Sequence, residues 1–309
     1  MRFALFLGCT IPARLPQFES SSRAVLKELG VSVTDIDEFN CCGYPLRNTN
    51  FKTFVLFSAR SLALAERENL PMMTLCQCCY GSLRKAAHLM KENPALQEEI
   101  NAILRREGLT YNGTGEVRHF ISVLFHDIGI ESIRTKARRT YEGLKIATHY
   151  GCHVLRPSAV VQFDDPVAPS ILDRLVEVTG AESIDWVTKL ECCGAPVRGV
   201  NDDLSTDLTR KKLRDGSQSG ADYLCSACPY CHIQFDTVQK ADISQGKSDH
   251  RVPPVLYPQL LGLTMGIDRK VLGLEMNQVP IDGIEGFLSE TQSESEQQTE
   301  DERGSASVL

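Results

Sequence analysis

Ten of the twelve cysteines form two copies of one spacing, which commits any fold of this chain to gathering thiols at two places. The first copy reads Leu7-Gly8-Cys9-Thr10, then Asn40-Cys41-Cys42-Gly43-Tyr44-Pro45-Leu46-Arg47, then Cys76-Gln77-Cys78-Cys79. The second reads Tyr150-Gly151-Cys152-His153, then Glu191-Cys192-Cys193-Gly194-Ala195-Pro196-Val197-Arg198, then Cys228-Pro229-Tyr230-Cys231. Each copy offers a lone cysteine, an adjacent pair and a C-x-x-C. Five thiols exceed the four ligands of a tetrahedral zinc. They suit a polynuclear iron–sulfur centre, in which thiolates are distributed over several irons. Two such centres point to electron chemistry on a substrate that takes two electrons.

The adjacent pairs are the most specific part of the pattern. Neighbouring side chains of an extended strand point to opposite faces, so both thiols reach one centre only if the chain turns sharply. Gly43 and Gly194 permit that turn, and Pro45 and Pro196 fix the exit. A lone pair of this kind reads equally as two buried core thiols, but the full pattern occurs twice. Cys78 and Cys225 compete for ligand roles. Cys76 and Cys79 align with Cys228 and Cys231 at a constant offset of 152, close to the 151 that relates Cys41 to Cys192. Cys225 faces Met73 in that alignment and Cys78 faces Tyr230, so both read as buried thiols or as neighbours of the ligands.

Hydrophobic residues make up 42% of the chain, enough for a real core. The formal charge of −7 is concentrated at one end. Residues 289–309 hold six acids and one arginine, leaving about −2 on the remainder. No basic patch stands out, which argues against nucleic acid as a partner. No run approaches the length of a membrane span, so direct membrane insertion is not expected. The N-terminus passes straight into a motif cysteine and reads as a first strand, not as a signal peptide. Clustered thiols without an export signal favour reduced, metal-binding cysteines in the cytoplasm over disulfides.

Apolar runs of strand type precede every motif cysteine: residues 3–7, 31–39, 72–75, 144–148, 184–190 and 221–224. Helical patterns lie between them. Residues 20–29 stop at Gly30, and Asn48 is placed to cap a helix reaching residue 69. Asn201 occupies the matching position in the second half, and residues 80–106 read as one helix broken at Pro94. Alternation of strand and helix predicts an α/β fold, two tandem pseudo-symmetric halves, each a small, mainly parallel sheet with flanking helices. Ligands of such sheets sit beyond the carboxyl ends of the strands, where all the motif cysteines fall. Residues 116–130 are expected to join the halves as a short helix, and residues 254–266 to pack on the body. From Ser289 the chain is too polar to offset the entropy of ordering and is expected to be disordered.

The doubled C…CCG…CxxC pattern closely resembles the B subunit of heterodisulfide reductase, a family of CCG cysteine-rich domains. The resemblance runs from Met1 to about Gly266 and takes in the linker at residues 119–129 and the ending Pro254-Val255-Leu256-Tyr257-Pro258-Gln259-Leu260-Leu261-Gly262. It implies a first CCG domain with its linker over residues 1–142, a second over 143–288, and an acidic tail over 289–309. It further implies two non-cubane [4Fe–4S] clusters. Cys9, Cys41, Cys42, Cys76 and Cys79 would hold one; Cys152, Cys192, Cys193, Cys228 and Cys231 would hold the other. Zinc at one of the two sites is the alternative. The first C-x-x-C, commonly C-N-G-C in the family, here reads Cys76-Gln77-Cys78-Cys79. Related subunits of glycolate, lactate and succinate or fumarate enzymes share the domain, usually fused to ferredoxin-like motifs. None is present here, so the resemblance places low-potential clusters in a partner, a ferredoxin-like C subunit fed by a flavin-containing A subunit.

Two readings stand for His153 and His232, each next to a motif cysteine: proton donor to a leaving thiolate, or hydrogen-bonded neighbour of the cluster. Arg47 and Arg198, at matching places, would support a thiolate-rich cluster or bind an anionic substrate, and their symmetry favours support. Disulfide cleavage consumes two electrons and yields two thiolates, while one cluster ordinarily moves one electron. Duplication is thereby explained if a disulfide, or a thiol pair in the reverse direction, meets both clusters in one narrow cleft. Gly43, Gly194, His153, His232, Arg47 and Arg198 are expected near its walls. The rival functions are a related subunit of sulfur oxidation acting on sulfane sulfur or a lipoate-type carrier, and electron transfer within a 2-hydroxy-acid dehydrogenase complex.

Overall fold

A computed structural model describes residues 1–247 and 251–291 of the chain. Its ten strands are β1 (Arg2–Phe6), β2 (Ser32–Thr34), β3 (Met72–Thr74), β4 (Val117–His119), β5 (Arg139–Tyr141), β6 (Lys145–His149), β7 (Glu182–Ile184), β8 (Tyr223–Ser226), β9 (Pro254–Leu256) and β10 (Leu288–Glu290). They build two four-stranded sheets of the same order, β2-β1-β3-β4 and β7-β6-β8-β9, all pairs parallel. The inner strands are apolar on both faces because helices cover both. Phe3, Ala4, Leu5 and Phe6 of β1 are all buried, as are Ile146 to His149 of β6. Register follows the repeat: Ala4 lies opposite Met72, and Ile146 opposite Tyr223.

The fourth strand of each sheet departs from expectation. Residues 116–130 do turn helical, but only from Phe120; Val117–His119 first pair with β3. Likewise Pro254–Leu256 pair with β8 before the helix Tyr257–Thr264 begins. Three-residue edge strands carry too little alternation to show in a sequence, and Pro254 is tolerated because it opens its strand. The strand expected over residues 31–39 shrinks to Ser32–Thr34, and the one expected over 184–190 lies earlier, at Glu182–Ile184, since the chain leaves the sheet to reach the paired cysteines.

Helix boundaries follow local chemistry. Pro16 opens the helix Pro16–Glu28, four residues earlier than the apolar pattern suggested. Beyond its end, the Val31 N–H reaches back to the Leu26 carbonyl, with Gly30 left-handed at φ 70°. The cap of the helix Phe51–Arg67 is Asn50, not Asn48; its side chain accepts from the Thr53 N–H. Asn201 does the same for Leu204 at the head of Asp202–Gln218. Asn93 and Pro94 split the next segment into Gln77–Glu92 and Pro94–Leu104.

The halves share one continuous core. The helix Pro16–Glu28 packs on Tyr257–Thr264 and Arg269–Leu272. The Tyr80 hydroxyl donates to the Val161 carbonyl across the boundary at 2.7 Å. A short antiparallel pair, β5 with β10, ties the end of the body to the start of the second half. Order therefore continues past Ser289: Glu290 pairs with Arg139, and the Thr291 N–H donates to the Arg138 carbonyl. Most of the acidic segment expected to be disordered, residues 292–309, lies outside the described residues. No described helix is long and apolar enough to cross a membrane.

Candidate metal centres

Parallel strands deliver the motif cysteines to one edge of each sheet. β1 ends three residues before Cys9 and β6 three before Cys152. β3 and β8 each end two residues before a C-x-x-C. Cys76 and Cys228 are the N-cap residues of the helices Gln77–Glu92 and Pro229–Ser244, with Cys79 and Cys231 in their first turns. The unpaired N–H groups and the positive dipole end of a helix stabilise thiolate there.

The paired cysteines sit on the predicted sharp turns. Gly43 has φ 80° and Gly194 φ 92°, in the left-handed region that disfavours side chains. A Cβ at Gly43 would lie 2.9 Å from the Phe54 carbonyl oxygen, and one at Gly194 2.3 Å from that of Ser205. The following helix also anchors the turn. Ser58 Oγ donates to the Cys42 carbonyl at 2.7 Å, and Thr209 Oγ1 to the Cys193 carbonyl at 2.9 Å. Ser58 and Thr209 stand at matching places, so the repeat extends to the hydrogen bonds behind the paired cysteines.

All twelve cysteines are free thiols. In the first half, Cys9 and Cys41 have Sγ atoms 3.8 Å apart, and a tight cavity is lined by Cys9, Cys41, Cys42, Cys76, Cys78 and Cys79. In the second, the ligand atoms of His149, Cys193 and Cys231 lie within 4.8 Å of one another, and Cys192 Sγ accepts from the Gly194 N–H at 3.4 Å. Hydrogen bonding to Cys152 and then Cys193 holds Cys192 far below the usual thiol range. Cys42 is depressed by Cys41 and Cys79. Sulfur dominates both donor sets, joined in the second by His149, which fits a soft polynuclear iron–sulfur group better than a hard cation.

The two nests abut. Cys228 of the second half is pulled low by hydrogen bonds from Cys231, then from Cys76 and Cys78 of the first. A cavity of about 190 Å³ opens beside the second nest, walled by Tyr44, Pro45, Gln77 and Cys78 from one half and Cys152, His153, Arg198, Cys228 and Cys231 from the other. Tyr44, Pro45, Cys78 and Tyr230 line this cavity and the first nest's cavity alike. Cys78 and Tyr230, aligned in the repeat, thus meet at the partition. The close approach depends on Gly151, at φ 75°, where a Cβ would lie 2.0 Å from Gln77 Oε1.

The residues expected at the cleft walls divide. His153 is there, its Nδ1 3.3 Å from Cys78 Sγ and 3.7 Å from Cys152 Sγ, its ring edge-on to Tyr44. Burial lowers its pKa, which favours the neutral imidazole. Arg198 lines the cavity and reaches Gln234 Oε1 at 3.4 Å. Its sequence match Arg47 instead stacks over the Tyr44 ring at 5.2 Å, so the two arginines do different work. His232 is not at the wall: it is fully buried, both ring nitrogens lack partners among the described residues, and burial drops its pKa to about 3. Gly43 and Gly194 face the helices behind them, not the cavity. Cys225 is a core thiol of β8, pushed up by burial.

Sequence reasoning missed His149 and Lys212. His149 Nε2 lies 3.3 Å from Cys231 Sγ. Lys212 is fully buried, 4.4 Å over the Trp186 ring, and donates to the Thr188 carbonyl. Burial lowers its pKa to about 8, and the thiols of Cys193 and Cys231 draw it back up. Aligning the halves residue by residue flags both, because Phe6 and Ser61 stand at the equivalent places.

Two parallel α/β halves, each presenting a nest of free thiols beyond its strand ends, define a duplicated cysteine-rich α/β protein. The sequence profile of the cysteine-rich domain called CCG matches residues 3–84 and 146–236. The B subunit of the ferredoxin:CoB-CoM heterodisulfide reductase of Methanosarcina mazei is 36% identical over 90% of this chain and 94% of its own. The 8-methylmenaquinol:fumarate reductase membrane anchor subunit of Wolinella succinogenes is 30% identical over 90% and 96%. A hypothetical protein from Helicobacter pylori has a crystal structure that superposes with a TM-score of 0.73 at 17% identity, spanning 92% of this chain and 53% of that one. The chain belongs to the CCG cysteine-rich domain family, which includes the B subunits of heterodisulfide reductases.

Proposed function

We propose that the chain is the catalytic iron–sulfur subunit of a heterodisulfide-reductase-type complex, reducing a disulfide or oxidising the two thiols. Supporting this reading is a cavity lined by both halves, bordered by Cys152, Cys193, Cys228 and Cys231 of the second nest and separated from the first by Tyr44, Pro45, Cys78 and Tyr230, which line both cavities. Cys9, Cys41, Cys42, Cys76 and Cys79 would hold one non-cubane [4Fe–4S] cluster, and Cys152, Cys192, Cys193, Cys228 and Cys231 the other. When bound, these clusters supply the two electrons that disulfide cleavage requires. The relatives' names describe subunits of larger reductases, so the electrons are expected from a ferredoxin-like and a flavin-containing partner.

The chain's own residues shape the substrate's surroundings. Tyr44, Pro45, Pro196 and Tyr230 make the cavity largely apolar, which excludes water from a thiolate being formed. Arg198 supplies a cation at the wall for an anionic sulfur or substrate group. His153, neutral and bonded to Cys78, offers a hydrogen bond to a sulfur beside Cys152 without placing a fixed charge there. The test combines iron and acid-labile sulfide analysis of anaerobic protein with viologen-driven disulfide reduction. Both Cys42→Ser and Cys193→Ser should abolish turnover. Full turnover with either nest emptied overturns the reading in favour of an electron relay.

A further inference from the structure

The halves match down to single hydrogen bonds, so their differences are informative. Four of the five thiol pairs agree in burial: Cys41 with Cys192, Cys42 with Cys193, Cys76 with Cys228, and Cys79 with Cys231. The half-buried cation behind each pair agrees too, Arg60 bound to Glu107 and Lys211 to Glu191. What differs is the interior. Behind the first nest stand Phe6, edge-on to Phe39, and the neutral Ser61. Behind the second stand His149 and Lys212.

Lys212 is an unusual residue to bury. Among the described residues it makes no ion pair, only a carbonyl contact and an indole stack. A buried cation without a counter-ion is strongly destabilising. Trp186, on which it stacks, packs in one cluster with Cys193, Cys228 and Cys231, so the missing counter-charge is the thiolate nest itself. His149 lies on the same side; a metal-bound thiolate can only accept, so its Nε2 carries the proton toward Cys231. Glu191 is exposed and already paired with Lys211, and solvent screens it.

We infer that Lys212 and His149 make the second nest the higher-potential electron site of the two, so that an electron entering the chain comes to rest beside the shared cavity. This rests on the proposed function. The step is a one-electron transfer from a low-potential donor, which is oxidised as the centre is reduced; no bond breaks. Adding negative charge near a buried cation and an N–H···S bond favours the reduced form. The greater exposure of Cys9 favours the first nest, but water screens that site, whereas Lys212 acts through the protein interior. Lys212 is a positioning residue for charge and does not line the cavity.

Potentiometric EPR titration of the full chain, with dithionite as reductant, tests it. Cys42→Ser isolates the second centre and Cys193→Ser the first. In the Cys42→Ser background, Lys212→Met should lower the reduction equilibrium at least tenfold, about 59 mV for one electron. Lys212→Arg should stay near the parent, and His149→Phe, which restores the residue of the first half, should shift it in the same direction as methionine. The first centre should not respond to Lys212→Met. A second centre that keeps its potential in Lys212→Met, or lies below the first in the unmutated protein, overturns the inference while leaving the function intact. Absence of iron from both nests overturns the function, and the inference with it.

Discussion

At the scale of single residues, the paired cysteines carry the strictest demand. Cys42 and Cys193 are each buried between two other thiols, so serine at either place should empty that nest alone. Iron should fall from about eight per chain to about four, as counted by chemical analysis. Cys78→Ser and Cys225→Ser should keep the full complement, for different reasons: Cys225 is a core thiol, while Cys78 stands in the partition beside His153. Loss of iron in Cys78→Ser but not in Cys76→Ser would reverse the ligand assignment. Gly194→Ala adds a Cβ against the Ser205 carbonyl in a left-handed backbone. It should cost about 1–3 kcal/mol, read as a lower denaturation midpoint even in apo-protein.

At the scale of elements, the helices that follow each CCG turn hold the nests from behind. Their caps are side-chain amides, Asn50 and Asn201, one in each half. Replacing Asn201 with alanine should cost about 1 kcal/mol by thermal unfolding, and Asn50→Ala a similar amount. Thr209 joins this helix to the Cys193 carbonyl, so Thr209→Val should weaken cluster retention on dilution as well as stability. β10 sets a limit on truncation. Removal of residues 292–309 should leave the melting temperature and iron content unchanged, whereas removal from Leu288 deletes the pairing with β5 and should lower the melting temperature.

At the scale of the whole molecule, duplication produces two similar sites in one shared neighbourhood. Parallel sheets of identical order send both sets of thiols off matching edges, and the common core brings those edges together. Tyr44 against His153 and Gln77 against Gly151 close the seam between the halves. The proposed reduction of a disulfide needs that proximity, because each electron must reach the same sulfur–sulfur bond.

Much of this was legible beforehand. Repetition of cysteine type and spacing is independent of folding context, so the two thiol nests, the glycine turns and the α/β order of strand and helix could be read directly from the residues. Edge strands β4 and β9 could not, because three residues give no period, and their pairing is decided by the strand beside them. The helix cap expected at Asn48 falls instead at Asn50, the residue that the repeat offset of 151 pairs with Asn201. By sequence Arg47 and Arg198 are equivalent, and His153 and His232 each follow a motif cysteine. Packing separated them: each half meets the other with a different face, so one arginine stacks on Tyr44 while the other lines the cavity, and one histidine reaches the seam while the other is enclosed. Sequence determined which residue types stand in each half; tertiary contact between unlike surfaces of like halves decided which of them face the shared cavity.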